Sequence, residues 1–205
     1  MKDLEMNPWL SIWVKPRKTL RAILDKCPNY KLGSLSFIYG VHYLFYVAQF
    51  FGLALLAPSY LIVVAALILA IPVGYLVFSL SSLLILLFGK LLGGKGCFTS
   101  IRCALAWCAV PNVINIFLWL VLVAFFGNEV FMQNFSATVP THHLLLLQVC
   151  VLLQLGVFIW ALVILINGLA EVQGYSVWMG LLNLILGSIV MGLIFYGVGF
   201  AVERL

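Results

Sequence analysis

The sequence predicts an all-α membrane protein: a polytopic bundle of about five transmembrane helices behind a short N-terminal amphipathic interfacial segment. Three observations carry that prediction. Five apolar stretches, approximately residues 33–56, 60–88, 100–126, 143–167 and 177–202, are separated by short connections. Each is long enough for a hydrocarbon core about 30 Å thick, which takes roughly 20 helical residues. Hydrophobic residues make up 65% of the chain and charged residues 8%, where an ordinary globular domain is roughly a quarter charged. The runs are also continuous, whereas transmembrane strands alternate over about ten residues. Helices are then the way to satisfy backbone polar groups in lipid. The expected division is residues 1–32 as a cytoplasmic and interfacial segment and 33–205 as the transmembrane domain.

The leader comes first in the chain. Trp9, Ile12 and Trp13 recur at helical spacing, as do Leu20, Ile23 and Leu24 after Pro16, while Lys15, Arg17, Lys18 and Arg21 supply the polar side. Pro8 and Pro16 suit first-turn positions, where a missing N–H costs nothing. Two short helices in the cytoplasmic interface are expected, with the tryptophans at head-group depth. Two readings of them stand side by side: a plain anchor, or a docking surface for a cytoplasmic partner. The leader has no apolar core of signal-peptide type, so the first span is expected to remain as an anchor.

Charge sets the expected orientation. Lys2, Lys15, Arg17, Lys18, Arg21, Lys26 and Lys31 precede the first span, and Lys90, Lys95 and Arg102 surround the second connection. The first and third connections carry no Lys or Arg. The positive-inside rule then predicts a cytoplasmic N-terminus and, with five spans, Glu203 and Arg204 on the far side. The fourth stretch is the weak step in that count, since it reads as a span or as a re-entrant segment. A formal charge of +5 does not read as nucleic-acid binding, because no nucleic-acid motif accompanies it. Attraction to anionic lipid head groups accounts for it, at about 1 kcal/mol per basic residue near the surface.

A family resemblance rests on particular residues. Asn7-Pro8-Trp9 through Lys15-Pro16-Arg17-Lys18-Thr19-Leu20 to Ile23-Leu24-Asp25 resembles the opening of bacterial members of the Yip1 family. Leu91-Leu92-Gly93-Gly94-Lys95-Gly96-Cys97-Phe98, followed by a helix with Val110-Pro111-Asn112, resembles that family's Gly-Gly-Lys-Gly turn and Pro-containing third span. Eukaryotic relatives have long cytosolic N-terminal regions and are linked to Rab-type GTPases and vesicle traffic. This leader is short, so the resemblance is to the bacterial branch, and GTPase binding is not carried across.

Catalytic chemistry is hard to find. All six acidic residues, Asp3, Glu5, Asp25, Glu129, Glu171 and Glu203, fall in termini or connections. No carboxylate lies deep in a span, which argues against a proton-coupled carrier. There is no serine nucleophile elbow and no H-E-x-x-H pattern, so no enzyme is expected. The run from Gly89 to Gly96 nearly matches a nucleotide P-loop, but Gly96 stands where a magnesium-binding Ser or Thr belongs and the run follows a helix. A tight turn is the better reading, with a helix N-terminus near Thr99 or Ser100 able to attract an anionic head group. Cys27, Cys97, Cys103, Cys108 and Cys150 contain no C-x-x-C pair, so no zinc site is expected. No cofactor is expected. His142-His143 reads as an interfacial cap.

The spans themselves hold uncharged polarity: His42 and Gln49, then Asn112 and Asn115 after Pro111, then Gln148, Gln154, Asn167 and Asn183. One account is interhelical hydrogen bonding at roughly 0.6 kcal/mol each. The other is a polar path through His42, Gln49, Pro72, Pro111, Asn112 and Asn115, where kinked helices expose carbonyls to a substrate. Ala48-x-x-x-Gly52 and Ser188-x-x-x-Gly192 permit close helix approach, within the bundle or between copies. The preferred expectation is a non-enzymatic protein of the bacterial inner membrane that binds a protein partner or organises lipid. Its contacts would be Trp9, Trp13, Lys15, Arg17, Lys18 and Arg21, with Gly93, Gly94, Lys95 and Arg102. The alternative is a small transporter or channel.

Overall fold

The structure is a computed structural model that describes residues 6–202; Lys2, Asp3, Glu5, Glu203 and Arg204 lie outside them. All regular structure among the described residues is helical. The helices are α1 (Pro8–Ser11), α2 (Pro16–Lys26), α3 (Leu32–Phe50), α4 (Ser59–Leu91), α5 (Phe98–Cys108), α6 (Asn112–Phe126), α7 (Phe135–Thr138), α8 (Leu144–Gln173) and α9 (Val177–Val202). Short 3-10 turns cover Leu53–Leu55, Gly127–Phe131 and Thr141–His143. Among the described residues, three helical stretches are long and apolar enough to cross a membrane: Ser59–Leu91, Asn112–Phe131 and Thr141–Gln173, with Val177–Leu193 a shorter apolar one. The protein is a helical membrane bundle.

Two expected spans come out differently. The stretch 33–56 holds the 19-residue α3 and then leaves the helix at Phe51. Ser34, Ser36, Tyr39, His42, Tyr43, Tyr46 and Gln49 lower its hydropathy, and α3 is not among the helices apolar enough to cross. The stretch 100–126 is broken after Cys108. Pro111 has no N–H to continue the ladder, and Asn112, Val113 and Ile114 bond instead to carbonyls three residues back, at 2.9–3.2 Å. Pro72, by contrast, sits inside α4 without ending it.

The chain divides into two compact units. One contains the leader up to Tyr30, Val77–Cys108 and the chain from Val163. Its core includes Ile12, Leu20, Ile23, Ile101, Trp107, Ile164 and Leu169, each essentially inaccessible. Leader helices α1 and α2 begin at Pro8 and Pro16, with the Asn7 side chain capping α1 through the Trp9 amide (3.1 Å). The Thr19 hydroxyl joins them, meeting the Ser11 hydroxyl (2.9 Å) and donating to the Lys15 carbonyl (2.8 Å).

The other unit contains Lys31–Leu76 and Ala109–Leu162. Its core is aromatic: Trp119 stacks on Phe131 at 6.0 Å between ring centroids, and Phe45 meets both rings at 5.7 and 5.9 Å. Helices α3 and α4 touch backbone to backbone. A methyl group on Gly40 would collide with the Ala70 carbonyl, and one on Gly74 with the Ser36 carbonyl. Small residues permit this contact, which is how membrane helices associate without a hydrophobic driving force.

Candidate functional site

The leader is docked by one face. Thr19, Leu20 and Ile23 of α2 are buried, while Arg17, Lys18, Arg21, Asp25 and Lys26 are exposed. Leu20 seats on Gly168 of α8 and Ala104 of α5; a methyl on Gly168 would come within 2.7 Å of Leu20 Cδ1. Trp9 is half-buried, edge-on to the buried Trp107 ring at 5.4 Å, and Tyr30 stacks on Trp107 at 6.3 Å. Trp13 is half-buried, with its neighbours Leu10 and Val14 70% and 78% exposed.

The two arginines turn to the protein itself. Arg17 Nε donates to Asn167 Oδ1 (3.1 Å), and Arg21 Nε donates to Glu171 Oε1 (2.7 Å), with Nη2 of Arg21 completing an ion pair to the same oxygen. Residues four apart share a helix face, so the matched pairs 17–167 and 21–171 lay α2 parallel to the end of α8, with Leu20 between them. Arg21 is 70% exposed, and an exposed ion pair contributes about 0–1 kcal/mol. Each fully buried Leu or Ile contributes roughly 1.5–3 kcal/mol. Apolar burial therefore holds the leader, and the arginines set its register. Lys15 and Lys18 remain exposed.

The glycine turn is built around a residue that sequence reasoning passed over. Gln173, 1% exposed, ends α8. Its carbonyl accepts the Lys95 amide (2.9 Å) and its Oε1 accepts the Gly96 amide (3.0 Å), while the Gly94 amide bonds the Gly89 carbonyl (2.7 Å). Methyl groups on Gly89 or Gly94 would strike the Gln173 amide group. The glycines form a socket for that side chain. The turn amides that would cradle a phosphate in a P-loop are occupied from within. Gly93 is exposed with φ +80°, a conformation glycine adopts at no steric cost, and Lys95 is exposed beside it. Nearby, Asn183 Nδ2 donates to the Tyr175 hydroxyl (2.6 Å).

Arg102 lies elsewhere in character. It is 7% exposed, donates from Nη2 to Asn29 Oδ1 (3.0 Å) and sits 5.1 Å from the Phe98 ring centroid. It ties the segment after α2 to α5 rather than facing outward. At the start of α5, the Cys97 amide donates to Ser100 Oγ (3.0 Å), which in turn donates to the Cys97 carbonyl (2.8 Å). The Ser100 and Thr99 hydroxyls also bond the exposed Cys97 thiol and lower its pKa to about 7.

The six residues of the expected polar path make local contacts in the second unit. Gln49 Nε2 donates to the Val130 carbonyl (2.9 Å), and Asn115 Nδ2 donates to Asn112 Oδ1 (3.1 Å). His42 stands edge-on to Tyr46 at 4.8 Å. Pro72 is exposed and Pro111 buried. A groove of about 290 Å³ in this unit is lined by apolar side chains alone, none of the six among them. Two further amides were not anticipated: Asn128 Nδ2 donates to the Ala54 carbonyl (3.0 Å) and Gln133 Nε2 to the Phe50 carbonyl (2.9 Å). With Gln49 they knit the connection after α3 to the one after α6.

A long-helix bundle with an amphipathic leader folded back onto it defines a polytopic membrane protein with an ordered, basic N-terminal face. The family model for the Yip1 domain matches residues 10–199, from the leader to near the end of α9. The chain belongs to the Yip1 family. No curated protein and no solved structure matches it.

Proposed function

We propose that this Yip1-family protein is a non-enzymatic adaptor of a bacterial inner membrane, with its N-terminus in the cytoplasm and its C-terminus on the opposite side. It binds an acidic protein partner or organises anionic lipid through the leader and the glycine turn. The observation that carries this reading is the division of cations on the leader. Arg17 and Arg21, although exposed, are bonded to α8, and the leader also exposes Lys15, Lys18, Leu10 and Val14. Exposed cations next to apolar side chains suit a membrane interface, where charge meets head groups and apolar groups reach the acyl boundary. Turnover is not part of the proposal. Of the acidic residues described, Glu171 is paired with Arg21, Asp25 lies in the leader, and Glu129 lies in the 3-10 turn that ends the Asn112–Phe131 stretch.

The test is photo-crosslinking in native membranes from probes placed at Trp13 and at Lys95. It is read with and without Lys15→Glu and Lys18→Glu, which leave the Arg17 and Arg21 contacts in place. Capture of one recurrent protein or of anionic lipid, lost on charge reversal, supports the proposal. Capture that does not change on reversal sinks it.

A further inference from the structure

The residues that make α3 more polar than the crossing helices are not scattered. Tyr39, Tyr43, Tyr46 and Phe50 recur at intervals of four, three and four, which places them on one helix face. The chain leaves that face open. Tyr39 and Tyr43 are half-buried and stack on each other at 6.0 Å, while Tyr46 is 41% and Phe50 59% exposed. The rest of α3 is already in use, with Ser36 and Gly40 against α4 and Phe45 in the aromatic core. Tyr43 and Tyr46 touch the rings of Tyr39 and Trp119, but neither hydroxyl bonds to a described residue.

The packing of α3 on α4 fixes the depth of this face. Gly40 meets Ala70 and Gly74 meets Ser36, so the two helices run antiparallel. That register sets Tyr39, Tyr43 and Tyr46 level with Ile71, Leu67 and Val64 of α4, which are 52%, 45% and 48% exposed. Exposed Ile, Leu and Val on a crossing helix face hydrocarbon, where lipid tails give a phenol hydroxyl nothing to bond. We propose that this tyrosine face is where two copies of the chain meet in the membrane, α3 against α3. Depth and chemistry select that occupant. Copies inserted the same way are related by a twofold axis along the membrane normal, so each brings its own tyrosines to the same level. A phenol hydroxyl both donates and accepts, so the face completes itself. No charged residue lies between Lys31 and Lys90 to repel the copy. Interhelical hydrogen bonds then favour association where apolar burial does not. This interface uses neither the leader nor the glycine turn and is independent of the adaptor reading.

The purified full chain in vesicles of phosphatidylethanolamine and phosphatidylglycerol tests it. Benzoylphenylalanine is placed at Tyr46 or, on an exposed apolar surface, at Ile159 of α8. Illumination should give a covalent dimer from position 46, joined to residues 32–50 of the second copy, and lipid adducts alone from position 159. Energy transfer between donor- and acceptor-labelled copies, followed as added lipid dilutes the protein, gives the dissociation constant. Tyr43→Phe with Tyr46→Phe keeps the rings and removes the hydroxyls. It should raise that constant roughly tenfold, as expected for losing two interhelical bonds. The crosslink is read in a chain that keeps Tyr43, so it decides the matter even if the double variant does not reconstitute. Lipid adducts alone from position 46, dimers formed equally from both positions, or a dissociation constant that the double variant leaves unchanged would each overturn the proposal.

Discussion

The glycine turn after α4 and the connection after α3 solve one problem with opposite compositions. Both are irregular backbone at an end of the long apolar helix α4, and both are held by side-chain amides from distant segments. In the turn, Gln173 reaches in through a socket of glycines, with lysines at positions 90 and 95 around it. In the connection, Asn128 and Gln133 reach across to a stretch with no charge at all. What differs is the environment each turn is composed for. What is shared is that a carboxamide, uncharged and able to donate and accept, is the group that closes both.

That comparison breaks most visibly where backbone touches backbone. Gly40→Ala or Gly74→Ala sets a methyl against a carbonyl oxygen that cannot swing away, and overpacking costs about 1–3 kcal/mol, occasionally more. Either variant should show the largest drop in thermal unfolding temperature in detergent; an unchanged temperature would mean that α3 and α4 do not approach this closely. Next comes the socket. Gln173→Ala leaves the Gly96 amide unpaired, for about 1–3 kcal/mol, and should raise hydrogen exchange at Lys95 and Gly96 selectively. Gln133→Ala frees one carbonyl at about 1 kcal/mol, with increased exchange confined to the connection after α3. Exchange spreading equally through both turns in either variant would deny that each is closed by its own amide. Smallest is Arg21→Ala, at about 0–1 kcal/mol, which should loosen the leader against α8 without changing global unfolding.

A fifth outcome sharpens the contrast chemically. With its pKa lowered to about 7, Cys97 is half thiolate near neutral pH. Alkylation by iodoacetamide should then reach half its maximal rate near pH 7. Ser100→Ala removes the largest cause of that lowering, so the midpoint should move up toward the ordinary thiol value. A midpoint that stays put would mean that the Ser100 hydroxyl does not hold the thiol.

Much of this was legible in the chain. Pro8 and Pro16 open the two leader helices because proline fits a first turn. The apolar runs locate α4, α8 and α9, since length and hydropathy are local properties. What was hidden is pairing. Arg17 and Arg21 read as outward charges because Asn167 and Glu171 lie 150 residues away, and no local pattern connects them. Gln173 falls in the connection between the stretches 143–167 and 177–202, where nothing local marks it as the plug of the Gly89–Gly96 turn. The break at Pro111 was visible as a residue but not as an end, because Pro72 in α4 shows that a long helix also absorbs proline. A helix apolar on all sides carries no stripe to say which face is buried, so the α3–α4 contact had only its glycines to announce it.

The 150-residue separation between α2 and its partners on α8 also has a meaning in time. At about 5–20 residues per second, the ribosome reaches Asn167 and Glu171 roughly 7–30 s after it has made Arg17 and Arg21. Until then the leader has emerged but its dock does not exist, and Arg17 and Arg21 lack their partners on α8. The leader is therefore made well before its dock, and Arg17 and Arg21 meet Asn167 and Glu171 only once α8 has been made.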